Sequence, residues 1–444
     1  SIPTFARDEQ TDPLGTCQIL AQQMMRRQGV QRLEAESLEH LKTLYQTYLW
    51  EVRDDIRSDA PWSGQWTVEA SLRGRTDPYH ADTVVIGAGP HGAVFAANYA
   101  AENAGKKILV LEERPSFGAL DYTMGSQLSS HEENGIGHLF PGLPIQLRDL
   151  QFEKEPYPTL EALGDLTALT LWSKHWQIAV ALEERVTQIR KTDPRQKLPR
   201  YEIRTASNNT AYSDNVIIAT GMGEQNVPDM DTFSDNLLKR HLDVAPASFS
   251  LPRFAPGIQF SDDFLRLQTL DARNGRNPLE RYGKGSFAVV GGGEGGNVSL
   301  EGLLGLSPRA ASAAGQLKSI HWLGTPVTSG EQFLSQYSGD KKIRYGSLAK
   351  SIDQKLVVPH NGLVTEIREV PSRDGTAPVF ALSFRGPNGE IARLVVDHII
   401  LATGYKNNPQ KMLSDLGASP EIRYEPIHMD TSDMTLTPGL GGTK

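Results

Sequence analysis

The chain has 444 residues, 39% of them hydrophobic, and a formal net charge of -8. That length exceeds one ordinary domain and can supply more than one core. The acidic balance and the lack of a basic block argue against a nucleic-acid partner, and no apolar run reaches the ~18 residues of a membrane span, so no transmembrane segment is expected. Cysteine occurs once, as Cys17 in L-G-T-C-Q-I-L. Disulfide frameworks, Cys-rich zinc sites and C-x-x-C redox relays all need more than one, so none is available within this chain. The opening S-I-P-T-F-A-R has no apolar signal core; a removed leader would leave such a start, and the cytoplasm is the default expectation.

Residues 1–80 read as a helical extension. Leu38, Leu41, Leu44, Tyr45, Tyr48, Leu49, Val52 and Ile56 recur at helical spacing. The polar face mixes both signs of charge, which disfavours a membrane-surface helix and favours packing on the body or on another subunit, a route to a homo-oligomer. Trp62 and Trp66 follow as local packing anchors.

From Asp82 to Gly92 the chain reads D-T-V-V-I-G-A-G-P-H-G. Val84, Val85 and Ile86 suit a buried parallel strand that breaks into a tight turn. In such a turn Gly87 permits the sharp bend, Gly89 lets bare backbone approach a pyrophosphate, and Gly92 lets the next helix lie close on the sheet. With Pro90 and His91 these residues form a helix start whose N–H groups face the phosphates. An Ala-rich helix over 93–101 and a strand over 106–111 follow. The strand ends at Glu112, with Glu113 beside it, where a carboxylate accepts hydrogen bonds from an adenosine ribose.

The stretch from Arg114 to Tyr157 lacks periodicity and is long for a loop in a compact domain. Ser126, Gln127, Ser129, His131, Glu132 and Asn134 offer polar groups for a bound ring or substrate, and a solvated surface loop is the alternative reading for each. Thr159 is a candidate N-cap. Trp172, Trp176, a strand over 177–182 and Val186 come next, and N-V-I-I-A-T from Asn215 to Thr220 forms a strand that closes at Gly221.

The layout then repeats. Ser286 to Asn297 reads S-F-A-V-V-G-G-G-E-G-G-N, with Gly291, Gly293 and Gly296 in the three glycine roles, and H-I-I-L-A-T from His398 closes at Gly404 and Tyr405. One glycine-rich turn arises readily by chance; two, each followed by an A-T-G strand, point to two bound dinucleotides. The strand after the second motif, S-I-H-W-L, runs into Gly324, Thr325 and Pro326 with no carboxylate before Glu331. Nothing there repels a 2′-phosphate, so NADPH is favoured over NADH, with Thr325, Thr328 or Arg344 as candidate contacts. Thr325-Pro326 as a plain turn is the alternative.

This order of elements resembles the two-dinucleotide-binding-domain flavoproteins, in particular the flavin-containing monooxygenase and N-hydroxylase branch. The resemblance rests on V-V-I-G-A-G-P-H-G, L-E-E-R-P-S-F-G, Y-P-T-L-E-A-L, I-I-A-T-G, V-V-G-G-G-E-G-G and I-I-L-A-T-G-Y, and it covers residues 81 to about 408. It implies FAD on Gly87, Gly89, Gly92 and Glu112, with the Val186 backbone near adenine and Ala219, Thr220 and Gly221 alongside, and NADPH on Gly291, Gly293 and Gly296. Two departures stand out. The branch's F-x-G-x-x-x-H fingerprint is missing, the region offering Ile258, Gln259, Phe260 and Ser261. The chain also ends at P-G-L-G-G-T-K soon after Tyr405, so the flavin site is expected to be open or residues to be missing.

The expected fold is α/β with two Rossmann-like dinucleotide-binding domains: a helical extension over 1–80, an FAD domain over 81–225 and 395–444, and an inserted NAD(P)H domain over 226–394. The expected activity is that of an FAD-dependent, NAD(P)H-using monooxygenase, with a small-molecule substrate, O2 as co-substrate and His131 as proton donor; a surface histidine is the alternative for His131. An NAD(P)H dehydrogenase reducing a quinone or other organic acceptor is the second reading. A nucleotide-binding module without turnover, with its partner surface on the N-terminal helix, is the third.

Overall fold

A computed structural model describes residues 77–114, 164, 167–171, 177–221, 224–225, 257–273, 277, 279–306, 317–372, 379–406, 408–423, 427–429 and 436–438. The expected N-terminal helix, Trp62, Trp66, the loop beyond Arg114 with His131, Thr159, Trp172 and Trp176 lie outside these residues. Among the described residues no helix is long and apolar enough to cross a membrane. The chain divides into two compact units.

The first unit opens with β1 (Tyr79–Ile86), helix α1 (Pro90–Glu102), β2 (Ile108–Leu111), β3 (Ile178–Ala181), β4 (Val186–Lys191), β5 (Tyr201–Thr205) and β6 (Thr210–Ile218). They make one six-stranded sheet in the order β3-β2-β1-β6-β5-β4. The first four run parallel; β5 and β4 return antiparallel. Parallel central strands are covered on both faces and so need unbroken apolar runs. Val84 and Val85 in β1, and all four residues of β2, are buried accordingly. Helix α1 begins with Pro90 at N1, where the missing N–H costs nothing, and buries Gly92, Ala93, Ala96 and Ala100, small residues that let it lie close on the sheet.

The second unit holds β7 (Glu224–Gln225), β8 (Ile258–Phe260), α2 (Ser261–Arg273), β9 (Ser286–Val290), α3 (Glu294–Leu304), β10 (Ser319–Leu323), α4 (Gly330–Ser335), α5 (Gly339–Arg344), α6 (Gly346–Asp353), β11 (Val357–His360), β12 (Leu363–Val370), β13 (Val379–Arg385), β14 (Ile391–Val396), β15 (His398–Leu401) and β16 (Tyr405–Lys406). Its main sheet is parallel throughout, in the order β11-β10-β9-β15-β8. Strand β9 explains the layering. Phe287 and Val289 enter a core with Phe264, Leu300, Leu303, Trp322, Phe333 and Tyr345 on the helical face. Ala288 and Val290 point the other way, to Phe380, Leu382 and Val396 of the antiparallel meander β12-β13-β14. The short strands β7 and β16 pair with each other.

The chain then re-enters the first unit with α7 (Pro409–Asp415), whose end places Leu416 in that unit's core, and with Ser419 N donating to Ile189 O of β4 at 2.9 Å. A hairpin of β17 (Ile427–Met429) and β18 (Leu436–Pro438) follows.

Both expected boundaries between the domains are corrected. The sequence reading puts 224–225 and the residues from 395 in the FAD domain, yet β7 and β15 belong to the second unit, which runs from Glu224 to Lys406, with β15 an inner strand between β9 and β8. Each A-T-G strand closes the sheet of its own glycine motif: β6 lies beside β1, and β15 beside β9. In the first unit β6 serves both the meander and the parallel sheet. In the second unit the matching run is split at Asp397, whose Oδ2 accepts from both the backbone N–H and the hydroxyl of Ser286 at 2.7 Å.

Candidate functional site

The carboxyl ends of β1 and β9 carry two turns with nearly the same construction. Gly87 N donates to Leu111 O at 2.8 Å, and Gly291 N to Leu323 O at 2.9 Å. Ala219 N donates to Ile86 O and Ala402 N to Val290 O, both at 2.8 Å. Gly87 has φ +106° and Gly291 φ +127°, and a Cβ at either would lie 2.3 Å from Ala219 O or 2.1 Å from Ala402 O. A Cβ on Gly92 or Gly296 would come within 2.1 or 2.3 Å of the carbonyl of Gly87 or Gly291. The fold itself therefore requires these four glycines.

Gly89 and Gly293 differ. They are the N-caps of α1 and α3, with φ of -73° and -89°, backbone that any residue adopts, and a Cβ on either would meet nothing within 4 Å. Neither strain nor packing in the chain asks for glycine there. What the missing side chain leaves open is the space before the N–H groups of a helix start, where a pyrophosphate binds. The residues thus fit the dinucleotides that the sequence implies.

Around the first turn the expected residues come together. Pro90 is half-buried and His91 exposed at the start of α1; Ala219 is half-buried, Thr220 exposed, and Gly221 (φ +99°) turns the chain away. Glu112 is 7% exposed, its Oε2 accepting from Ala88 N at 2.7 Å and its Oε1 from Arg114 N at 3.1 Å. Burial raises its pKa, opposed by the Ala88 hydrogen bond. The carboxylate therefore grips the glycine turn itself, each oxygen using one of the two acceptor positions that a carboxylate oxygen has. Glu113 is exposed. Val186 is buried at the start of β4, and the turn before it is tied to Glu112 by Glu184 N donating to Glu112 O at 2.8 Å. Glu184, buried and held by Asn209 Nδ2 at 2.9 Å, pins that turn to the β5–β6 hairpin. Sequence reasoning had no signal for it, since a charged residue in a turn ordinarily faces water.

Around the second turn several expectations change. Gly324, with φ +85°, stands where the first unit has Glu112, and glycine supplies no carboxylate at that position. Thr325 is 2% exposed and its hydroxyl accepts from Val327 N at 3.4 Å, a bond that shapes the turn. Thr328 is exposed but donates through N and Oγ1 to Gln332 Oε1, each at 2.8 Å. The Arg344 side chain is buried, 3.1 Å from Glu301 and 3.7 Å from Glu294, and its Cζ stands 5.0 Å from the Tyr345 ring centroid. It is a structural cation and does not reach out to a 2′-phosphate. Gly404 (φ +76°) turns the A-T-G exit as Gly221 does.

One polar seam escaped the sequence reading. Glu294, Asn297 and Glu301 share a face of α3. Tyr345 donates its hydroxyl to Glu294 Oε1, Asn297 Nδ2 donates to Tyr337 Oη at 2.7 Å, and Arg344 takes Glu301. The spacing of those three residues at helical intervals was the available signal.

No family model and no curated protein matches the chain. Solved structures do resemble it. The L-lysine 6-monooxygenase of Pseudomonas syringae is 16% identical, with 76% of this chain and 84% of that one covered and a TM-score of 0.50. DfoA bound to FAD, the cadaverine monooxygenase of Erwinia amylovora, is 15% identical over 76% of this chain and 81% of that one, also at 0.50. The ornithine hydroxylase PvdA of Pseudomonas aeruginosa is 15% identical over 76% and 85%, at 0.49. At these identities the first two share the α/β fold with this chain.

Proposed function

We propose that this chain is an FAD-dependent, NADPH-using oxidoreductase that hydroxylates a small organic substrate with O2. The observation that carries this reading is the pair of matched glycine cradles, each with one glycine, Gly89 or Gly293, that its own backbone and packing do not require.

Bound FAD would supply the redox chemistry, accepting hydride from a nicotinamide and activating O2. The chain's part is placement. The N–H groups at the start of α1 receive one pyrophosphate, with Glu112 bracing the turn and taking the ribose; the start of α3 receives the other. Gly324 in the position of Glu112 supports NADPH over NADH, because no carboxylate opposes a 2′-phosphate there. Cys17 is the sole thiol, so no dithiol within the chain can take the electrons and the acceptor is diffusible. The structural likeness to an L-lysine 6-monooxygenase and a cadaverine monooxygenase supports hydroxylation of a small molecule. His131 is proposed to donate the proton that this chemistry needs.

The test is to purify the protein, identify bound flavin by its spectrum, and follow flavin bleaching by NADPH and NADH in stopped flow. A substrate screen under labelled O2 comes next. Faster bleaching by NADPH, with labelled oxygen in a product, is the expected result. Rapid anaerobic quinone reduction with no labelled product from any substrate would mean a dehydrogenase. Failure to bind flavin would mean a module without turnover.

A further inference from the structure

The two cradles differ in the placement of their carboxylates. The first has Pro90 at the N1 position of α1 and Glu112 at the ribose end of β2; the second has Glu294 at N1 of α3 and Gly324 at the end of β10. An acid at N1 suits an empty helix, since it lies against the positive end of the macrodipole. It does not suit a helix start that must also receive a pyrophosphate.

The surroundings of Glu294 hold its carboxylate in place. Its side chain is 40% exposed; Tyr345, whose pKa burial raises, donates a hydrogen bond to it, and Arg344 stands 3.7 Å away. Arg344 is nearer to Glu301, at 3.1 Å. The guanidinium thus lies closer to Glu301 than to Glu294, and the Glu294 carboxylate stands part-exposed at the N-terminal end of α3.

Resting on the proposed reading of the second cradle, we infer that Glu294 sets the affinity of that cradle: held at the mouth of α3 by Tyr345 and Arg344, it opposes the pyrophosphate and keeps nicotinamide dinucleotides weakly bound. The first cradle, with Pro90 in that place, keeps its nucleotide without such opposition.

The experiment is equilibrium titration of the FAD-loaded protein with NADP+, NAD+ and adenosine, comparing wild type with Glu294→Gln and Glu294→Pro. The amide still accepts the Tyr345 hydroxyl, so Glu294→Gln is expected to keep the wild-type melting temperature; proline copies the first cradle but strips that hydroxyl of its acceptor, so Glu294→Pro is expected to melt lower, and both are expected to keep the wild-type flavin content. Removing one like charge near the phosphates should tighten NADP+ and NAD+ by on the order of 3- to 10-fold, equally for both because the charge lies at the pyrophosphate end. Uncharged adenosine should bind as before. Unchanged or weaker dinucleotide binding by the folded variants overturns the inference alone, as does an equal gain for adenosine, which would mean altered shape. No dinucleotide binding by wild type or variants would overturn the reading of the second cradle and this inference with it.

Discussion

At the scale of single residues, the glycines of each motif separate into those the fold needs and those it does not. Gly92→Ala should destabilise the first unit by about 1–3 kcal/mol, since its Cβ would lie 2.1 Å from Gly87 O, where only backbone can give way. Gly89→Ala should leave urea stability unchanged. Glu112→Ala should affect both stability and flavin, because it strips the buried Ala88 N–H of its acceptor, at about 1–3 kcal/mol. Chemical denaturation of apoprotein beside flavin titration separates the two losses, and a variant that loses flavin at full apoprotein stability would show that Glu112 does not hold the turn. The glycine spacing and the acid at the end of β2 were legible in the sequence because each answers to a local geometric demand. The seam of Glu294, Arg344 and Tyr345 was not, because its partners come from α3 and from the end of α5, far apart in the chain.

At the scale of elements, the strands of the second unit carry histidines that the matching strands of the first lack. His321 on β10 and His360 on β11 place Nδ1 and Nε2 3.0 Å apart, and His398 opens β15 with its ring 4.8 Å from that of Phe287. Burial lowers the pKa of all three below the ordinary 6.5, and His360 adds to the effect on His321. The folded state therefore favours the neutral rings. Above pH 6.5 both folded and unfolded chains carry them neutral and stability is full; as pH falls below 6.5 the unfolded chain takes up protons first, and stability is lost down through the lowered pKa values. Urea midpoints at pH 7.5 and 5.5 should show this acid loss, and His398→Asn, copying Asn215 of β6, should reduce it. An equal loss in that variant would assign the effect elsewhere. The misplacement of β15 belongs to this scale too. A strand buried on both faces reads as a plain apolar run, H-I-I-L, and that pattern carries no information about which strand lies beside it. Its parallel register with β9, from His398 opposite Phe287 to Leu401 opposite Val290, does.

At the scale of the whole molecule, the same plan appears twice: a glycine turn between a parallel strand and its helix, an antiparallel meander, and an A-T-G strand returning to the first strand's side. The repetition was legible because the motifs are local in sequence; the division into units was less so, because the chain leaves the first unit after Gly223 and rejoins it through α7. Each unit has its own core clusters, and each turn is held by hydrogen bonds from its own sheet. Nucleotide binding should accordingly fail one cradle at a time. Gly89→Val should give a folded, colourless protein that still binds NADP+ with the wild-type constant in calorimetry, since the second turn is hydrogen-bonded to its own sheet through Leu323 O and Val290 O. Gly293→Val should give a yellow protein with full flavin content, no measurable NADP+ binding, and a flavin that dithionite bleaches but NADPH does not. If Gly293→Val instead loses flavin, or Gly89→Val loses NADP+ while its far-UV spectrum stays native, the two cradles are coupled and the independence argued from their separate cores is wrong.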